Sequence, residues 1–191
     1  AMTEFVCEFV DLLTKRGLRV RYSGASCILR LSRSCRDVSF AGQSFALADA
    51  TVKNGTTDKD FVFEVGDQEY AFETYDDICA SLKRFANTRE CEAAISTLHS
   101  CLVSPDGGES TSNILSAMKT DINSCVGHLS DVMDFSFGED IKMQLLSVCL
   151  ASLMAIFRDE TLGEGVEQET FEKLVMIGCS CLLDARLSTS E

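Results

Sequence analysis

The sequence predicts an α+β fold in which a small antiparallel β module precedes a HEAT-like α-helical solenoid segment. Apolar residues alternate with polar ones along much of residues 1–75, which is the period of a strand. From about residue 76 they recur with the period of a helix instead. The composition, with 46% hydrophobic residues, 25% charged residues and one proline, is that of a folded globular chain. We therefore predict two domains, over residues 1–75 and 76–191.

The first domain is predicted to open with a helix and to continue as short strands. Residues 3–16 place Phe5, Phe9 and Leu12 on one helical face, and Gly17 supplies a stop. The strands that follow include the segments DVSF, SFALADATV, DFVFEV and EYAFETY, with turns at Asn54-Gly55 and Gly66-Asp67. In the order of its elements alone, this part resembles a small barrel of the pleckstrin-homology or polo-box type.

The second domain is predicted to be helical throughout. One helix runs up to Leu102, another over residues 114–133 with Ser112 as its N-cap, and a third over residues 167–186. Between them, residues 141–157 are apolar nearly all round, as in a helix buried between neighbours. Successive helices of this length, joined by short loops, are typical of antiparallel pairs stacked in a solenoid. The predicted core includes Leu153, Phe157 and Leu182.

Charge divides the chain in the same place. Residues 1–75 carry nine Lys/Arg and eleven Asp/Glu, net −2, whereas residues 76–191 carry eight and nineteen, net −11. The negative charge of residues 76–191 disfavours binding to nucleic acid and to anionic membranes. No apolar run is long enough to span a bilayer. No acid interrupts the basic stretch between Asp11 and Asp37. This stretch is either the solvated face of a sheet or a site for an acidic or phosphorylated partner, with Arg19, Arg21, Arg30 and Arg33 as partner-binding candidates.

Neither catalysis nor a cofactor is predicted. The ten cysteines form no CxxC pair and lie among apolar residues, which favours a reducing, cytoplasmic location. The densest group of possible metal ligands, Cys91, His99 and Cys101, does not have the spacing of a zinc site. No glycine-rich loop carries the lysine of a nucleotide site. Acid pairs such as Asp76-Asp77 stand at helix starts, where they favour the helix dipole.

One stretch of the helical part carries a family resemblance. The segment LMAIFRDETLGEGVEQETFEKLVMIGCSCLLDARL, residues 153–187, resembles a helix pair of the TOG family of microtubule polymerases. The matching positions are Leu153-Met154, Phe157, Leu162-Gly163, Glu167 to Thr170 and, most specifically, Leu182 to Leu187. The likeness extends over about residues 76–188 and concerns the region after the tubulin-binding domains. Residues 1–75 match nothing in that family. Members of the family continue with further helices after the region that resembles residues 76–188.

The resemblance implies a non-catalytic adaptor region of a microtubule-associated protein. Such a region would recruit the polymerase to spindle, centrosome, kinetochore or plus-end partners, in the cytoplasm and on the microtubule cytoskeleton. Tubulin-binding TOG domains present a tryptophan and basic residues, but this chain has no tryptophan and an acidic helical half. Weak or no direct binding to acidic tubulin is therefore expected. The alternative is a β module that binds phosphopeptides or phosphoinositides and is carried on a helical scaffold.

Overall fold

The computed structural model describes residues 8, 9, 12, 61–65, 68–138 and 140–182, with the backbone alone at residues 61–65, 68 and 182. The described part is mostly helical, as predicted for the second domain. Its elements are, in chain order, β1 (Phe61–Val65), β2 (Gln68–Phe72), α1 (Tyr75–Lys83), α2 (Thr88–Val103), α3 (Glu109–Thr120), α4 (Ile122–Phe135), α5 (Met143–Arg158), α6 (Glu160–Gly165) and α7 (Gln168–Leu182).

Strands β1 and β2 form an antiparallel hairpin, which confirms the last two strands predicted for the β module. The register pairs Val65 with Gln68, so that Gly66 and Asp67 connect the strands. A two-residue connection that contains glycine is common in tight hairpins. The earlier predicted strands lie outside the described residues.

Helix α1 begins immediately after the hairpin because Thr74 caps it. The Thr74 hydroxyl oxygen accepts a hydrogen bond from the Asp77 backbone N–H at 3.2 Å and donates to Asp77 Oδ2 at 2.7 Å. Asp76 and Asp77 occupy the first turn, where carboxylates favour the positive end of the helix dipole. The predicted change to helical periodicity near residue 76 and the predicted place of this acid pair are both confirmed.

The helix predicted over residues 114–133 is in fact two helices, α3 and α4. Asp121 stands between them at φ −115° and ψ 28°, outside the helical region. Its backbone N–H closes α3 by donating to the carbonyls of Ala117 (3.1 Å) and Met118 (3.2 Å). Apolar spacing continues across Asp121, so periodicity alone does not reveal the break.

The start of α3 also differs from the prediction. The helix begins at Glu109, and Ser112 lies in its first turn, where its hydroxyl donates to the Gly108 carbonyl at 3.1 Å. Gly108 is the residue before the helix and has φ 101°, a left-handed conformation that favours glycine. A glycine-based entry into the helix therefore takes the place of the predicted serine cap.

The helices lie in two layers. In the first layer α4 packs against α1 and α7, and in the second layer α2 packs against α5. Across the layers, α1 packs on α2 and α4 packs on α5. Helix α3 leads from one pair to the next, α6 leads from α5 to α7, and the hairpin packs on α2. Buried side chains from both layers meet in one continuous apolar core.

Helix α5 is buried over most of its circumference, as predicted. It contacts α2, α4 and α6, and ten of its side chains are buried: Leu145, Leu146, Val148, Cys149, Leu150, Ser152, Leu153, Met154, Ile156 and Phe157. The predicted core positions Leu153 and Phe157 are 0% and 8% exposed. The side chain of Leu182, the third predicted core residue, lies outside the described part.

The helix that contains Phe9 packs against α7, the last helix that the structure describes. Glu8, Phe9 and Leu12 are helical, as expected within residues 3–16, and Phe9 and Leu12 are buried. A Cβ atom built on Gly178 of α7 would overlap the ring of Phe9, so this ring lies directly on the α7 backbone. This contact and the packing of the hairpin on α2 both cross residue 75. The division into two domains stays a prediction.

Candidate functional site

The arginines proposed from the sequence, Arg19, Arg21, Arg30 and Arg33, lie outside the described residues. Their grouping on one face of a sheet therefore stays a prediction. In the described part, two other regions have features of a functional site. One is a buried group of polar side chains between α1 and α4, and the other is the solvent-facing surface of α4 and α7.

The buried group, here called the polar seam, consists of Tyr75 and Cys79 of α1, Cys125 of α4 and Asp121 at the α3–α4 break. Tyr75 Oη donates to Asp121 Oδ2 at 3.3 Å. Tyr75, Cys79 and Cys125 are 7%, 7% and 0% exposed. Residues 75 and 79 are one turn apart on α1, as 121 and 125 are along α4, so helical spacing alone aligns the two pairs.

The seam lacks an activated nucleophile. Burial raises the pKa of Tyr75 well above its ordinary value, and the nearby Cys125 and Cys79 add to the effect. Burial likewise raises the pKa of Cys125 to about 12 and that of Cys79 above its ordinary value, although each thiol hydrogen-bonds Tyr75. Thiolates, not thiols, are the nucleophiles and metal ligands. At neutral pH the Tyr75 hydroxyl and the two thiols stay protonated, and they serve as hydrogen-bond partners for one another inside the core.

The two histidines also lie apart from any catalytic arrangement in the described part. Burial lowers the pKa of His99, and Arg158 lowers it further. Burial and then Lys83 lower the pKa of His128, with Asp131 and other acids acting in the opposite direction. Both imidazoles are therefore largely neutral at physiological pH.

The region of Cys91, His99 and Cys101 is apolar in character. Both thiols are fully buried, and burial raises the pKa of Cys91 to about 12 and that of Cys101 to about 11. Among the described residues, no three His, Cys, Asp or Glu side chains form a group able to hold a metal ion. These cysteines act as small apolar core residues.

The solvent-facing surface of the first layer, here called the first-layer face, is formed by Ser124, Gly127 and Asp131 of α4 with Lys173 and Met176 of α7. A salt bridge joins the two helices, with Lys173 Nζ 3.0 Å from Asp131 Oδ1. Both side chains are about half exposed, so the pair contributes little to stability, typically 0–1 kcal/mol.

Because Gly127 has no side chain, the helix backbone of α4 is uncovered at this position of the first-layer face. Gly127 lies in the interior of α4, and a Cβ built on it would meet nothing within 4 Å. Glycine inside a helix costs roughly 0.5–1 kcal/mol relative to alanine, and here no neighbour in the described part requires it. Met176, on the same face in α7, is 51% exposed. A face with an exposed apolar side chain and an uncovered stretch of helix backbone is suited to contact with another macromolecule.

The charge of the described surface limits the kinds of macromolecule that can bind to it. Between residues 76 and 182, twelve carboxylate side chains are exposed against six basic ones. Such a surface repels nucleic acid phosphates and other acidic proteins. Among the helices the structure describes, none is both long and apolar enough to cross a membrane.

Sequence reasoning missed most of these features. The spacing of residues 75, 79, 121 and 125 would indicate the polar seam only after α1 and α4 were known to pack together. A sequence signal for the first-layer face was available, because Gly127 interrupts an apolar helical pattern without ending it. Comparisons with protein-family models, with curated proteins and with solved structures find no match to this chain.

Proposed function

We propose that this chain is a non-catalytic protein-interaction region, an adaptor, of a TOG-family microtubule-associated protein. It recruits that protein to partners on the spindle, centrosome, kinetochore or plus-end, and it works in the cytoplasm on the microtubule cytoskeleton. The observation that carries the proposal is the two-layer stacking of the helices. A stack of this kind offers long outer surfaces on which partners can dock.

The packing pattern favours a HEAT-like solenoid. In such a solenoid each helix pair stacks on the next, so that first helices contact first helices and second helices contact second helices. Helices α1 and α2 behave as one pair and α4 and α5 as the next, because α4 packs on α1 and α5 packs on α2. Helix α7 then takes the place of the first helix of a third pair, since it packs on α4.

The burial and packing of the residues that carry the TOG resemblance support it. Leu153, Phe157 and Leu162, which carry the family pattern, are all buried. Phe157 meets Phe171 of α7 with ring centroids 5.4 Å apart, edge to face. The matched positions therefore join α5 to α7, which is the role of a repeated structural motif rather than of a chemical site.

The chemistry of the described residues supports a binding role. The buried thiols and Tyr75 are held protonated by burial, and burial lowers the pKa of both histidines. The acidic surface supports weak or no direct binding to tubulin, because tubulin is itself strongly acidic. Recruitment through another protein is then the simpler mechanism.

The recruitment test uses two variants of the full chain that change charge equally. In the first, Arg19 and Arg21 become Glu; in the second, Arg89 and Lys119, both exposed on the helices, become Glu. We expect the first variant to lose localisation to spindle structures in dividing cells and the second to keep it. Equal localisation of both variants would remove the arginines from the docking surface. Capture of a phosphopeptide or an inositol phosphate by the parent chain, lost with Arg19→Glu, would favour the alternative module.

A second experiment examines tubulin directly. The full chain is mixed with free tubulin at physiological salt and analysed by size exclusion, with a tubulin-binding TOG domain as the positive control. We expect the two proteins to elute separately. A stable one-to-one complex would contradict the charge argument and the placement of this region outside the tubulin-binding domains.

A further inference from the structure

The loop between α2 and α3 holds the only proline of the sequence, and a serine precedes it. Ser104 and Pro105 open a connection that runs to Gly108, and every residue from Val103 to Glu109 is exposed. The buried Cys101 of α2 and the buried Thr111 of α3 hold the two ends of the connection. The Ser-Pro pair therefore sits on a short exposed loop that a rigid body presents to solvent.

The Ser104 hydroxyl differs from the helical hydroxyls of this chain. Ser112, Thr120, Ser130 and Ser180 each donate to the carbonyl four residues earlier. In the part of the chain that the structure describes, the Ser104 side chain has no hydrogen bond, and only its backbone is engaged. Its oxygen is thus available to an external reactant without the loss of an internal contact.

The backbone of Ser104 takes part in one turn of the loop. Its φ and ψ are −132° and 68°, outside the helical region, and its carbonyl accepts a hydrogen bond from the Gly107 N–H at 3.2 Å. Protein kinases bind the segment around the acceptor hydroxyl as an extended chain, so this one exposed turn bond must open when the segment is bound.

We propose that Ser104 is a phosphorylation site for an ATP-dependent, proline-directed protein kinase. The Ser104 Oγ atom attacks the γ-phosphorus of ATP, and the bond from that phosphorus to the β–γ bridging oxygen breaks. ADP leaves, and the hydroxyl proton passes to the catalytic aspartate of the kinase. Residues 106–108 are Asp-Gly-Gly, so the site suits kinases that require only the following proline and no basic residue after it.

The new phosphate would face outward. Phosphoserine carries about −1.5 to −2 charges at pH 7, and its nearest charged neighbours in the sequence are Asp106 and Glu109. No Lys or Arg occurs between Arg89 and Lys119 to capture it locally. Like charges and the carboxyl end of α2 both disfavour an inward position. The modification therefore creates a mark for a partner that carries an arginine cluster, and it does not depend on the proposed adaptor role.

The test incubates the full chain with magnesium ATP and a mitogen-activated protein kinase and follows intact mass. A peptide spanning residues 98–111 is the control for kinase activity. We expect the chain to gain one phosphate, mapped to Ser104 by peptide fragmentation. Ser104→Ala should abolish the gain, Pro105→Ala should slow it by more than an order of magnitude, and Ser112→Ala should leave it unchanged. Each variant should melt like the parent.

Two results would overturn the proposal. One is phosphorylation of the peptide but not of the folded chain, because it would mean that the loop is inaccessible to the kinase. The other is incorporation into the chain that persists in Ser104→Ala, because the acceptor would then be another hydroxyl.

Discussion

Helices α5 and α7 are similar in length but are buried by different means. Helices α2, α4 and α6 surround α5, and two of its side chains donate to carbonyls of α4 and α2: Cys149 to Leu129 at 3.0 Å and Ser152 to Ile95 at 3.4 Å. Helix α7 packs on α4 on one side, and at Gly178 it receives Phe9 from the opposite end of the chain.

The difference shows how the number of neighbouring helices determines the way in which a helix is buried. An interior helix needs only a broad apolar surface, because neighbours close it from several directions. In the described part α7 has fewer neighbouring helices than α5, so its burial depends on a particular contact. In α7 that contact requires a glycine, whereas α5 contains none.

The largest expected effect comes from Phe9→Ala, which should remove the cover of α7. A fully buried phenylalanine truncated to alanine costs about 3–5 kcal/mol, and Phe9 is 0% exposed. Chemical denaturation of the full chain measures the change in the free energy of unfolding. A loss below about 1 kcal/mol would mean that the amino-terminal helix contributes little to α7.

Leu153→Ala tests the interior helix of the comparison. Leu153 is fully buried in α5, so the substitution should cost about 2–5 kcal/mol. The control is Met176→Ala on the exposed side of α7, where a change within about 0.5 kcal/mol is expected. If the two substitutions cost the same, Leu153 is no more buried than Met176.

Gly178→Ala tests the close approach of Phe9 itself. In the parent chain the added methyl overlaps the ring, and overpacking of this kind costs typically 1–3 kcal/mol. In a Phe9→Ala background the overlap is gone, and the helix preference of alanine should make the same change stabilising by up to about 1 kcal/mol. The change of sign is measured by a double-mutant cycle. The same sign in both backgrounds would show that Phe9 does not pack on Gly178.

Tyr75→Phe tests the polar seam, on the side of α4 that faces α1. It removes the donor to Asp121 and should cost about 0.5–1.5 kcal/mol, the usual net contribution of a hydrogen bond. Equilibrium unfolding of the single variants and of Tyr75→Phe combined with Asp121→Asn gives the coupling between the two side chains. No loss of stability in Tyr75→Phe would show that the hydroxyl is equally satisfied by water.

Gly127→Ala has the smallest expected effect, and its sign is opposite. The added methyl meets open space, so the helix should gain roughly 0.5–1 kcal/mol. Gly163→Ala is the control, because its Cβ would lie 3.3 Å from the Phe157 carbonyl oxygen and should give a smaller gain or none. Thermal unfolding distinguishes the two. A destabilising Gly127→Ala would mean that this part of the first-layer face is covered.

The sequence predicted the local elements well where one signal dominated. Alternation and a glycine turn identified the β1–β2 hairpin, and an uncharged run identified α5, because each pattern is imposed by its own surroundings along the chain. The boundaries of α3 were wrong because the conformation of Gly108 and the double role of Asp121 in capping α3 and receiving Tyr75 depend on distant packing.

The candidate sites were harder to predict for the same reason. The polar seam joins side chains that are adjacent only after α1 and α4 have packed, and periodicity carries no information about which helices meet. Gly178 lies within the helix predicted over residues 167–186, but nothing in the neighbouring sequence indicates that it accommodates Phe9. The arginines between residues 19 and 33 lie outside the described residues, and their role stays a prediction.

The contact between Phe9 and Gly178 has a consequence for biosynthesis. A ribosome releases the amino end first, so Phe9 and Leu12 emerge long before the helix that will shelter them exists. Contacts between residues so distant in the sequence form slowly, and apolar groups exposed meanwhile favour aggregation. The nascent chain therefore exposes these apolar side chains until α7 has been made, and chaperone binding to them is expected to end only when α7 has left the exit tunnel.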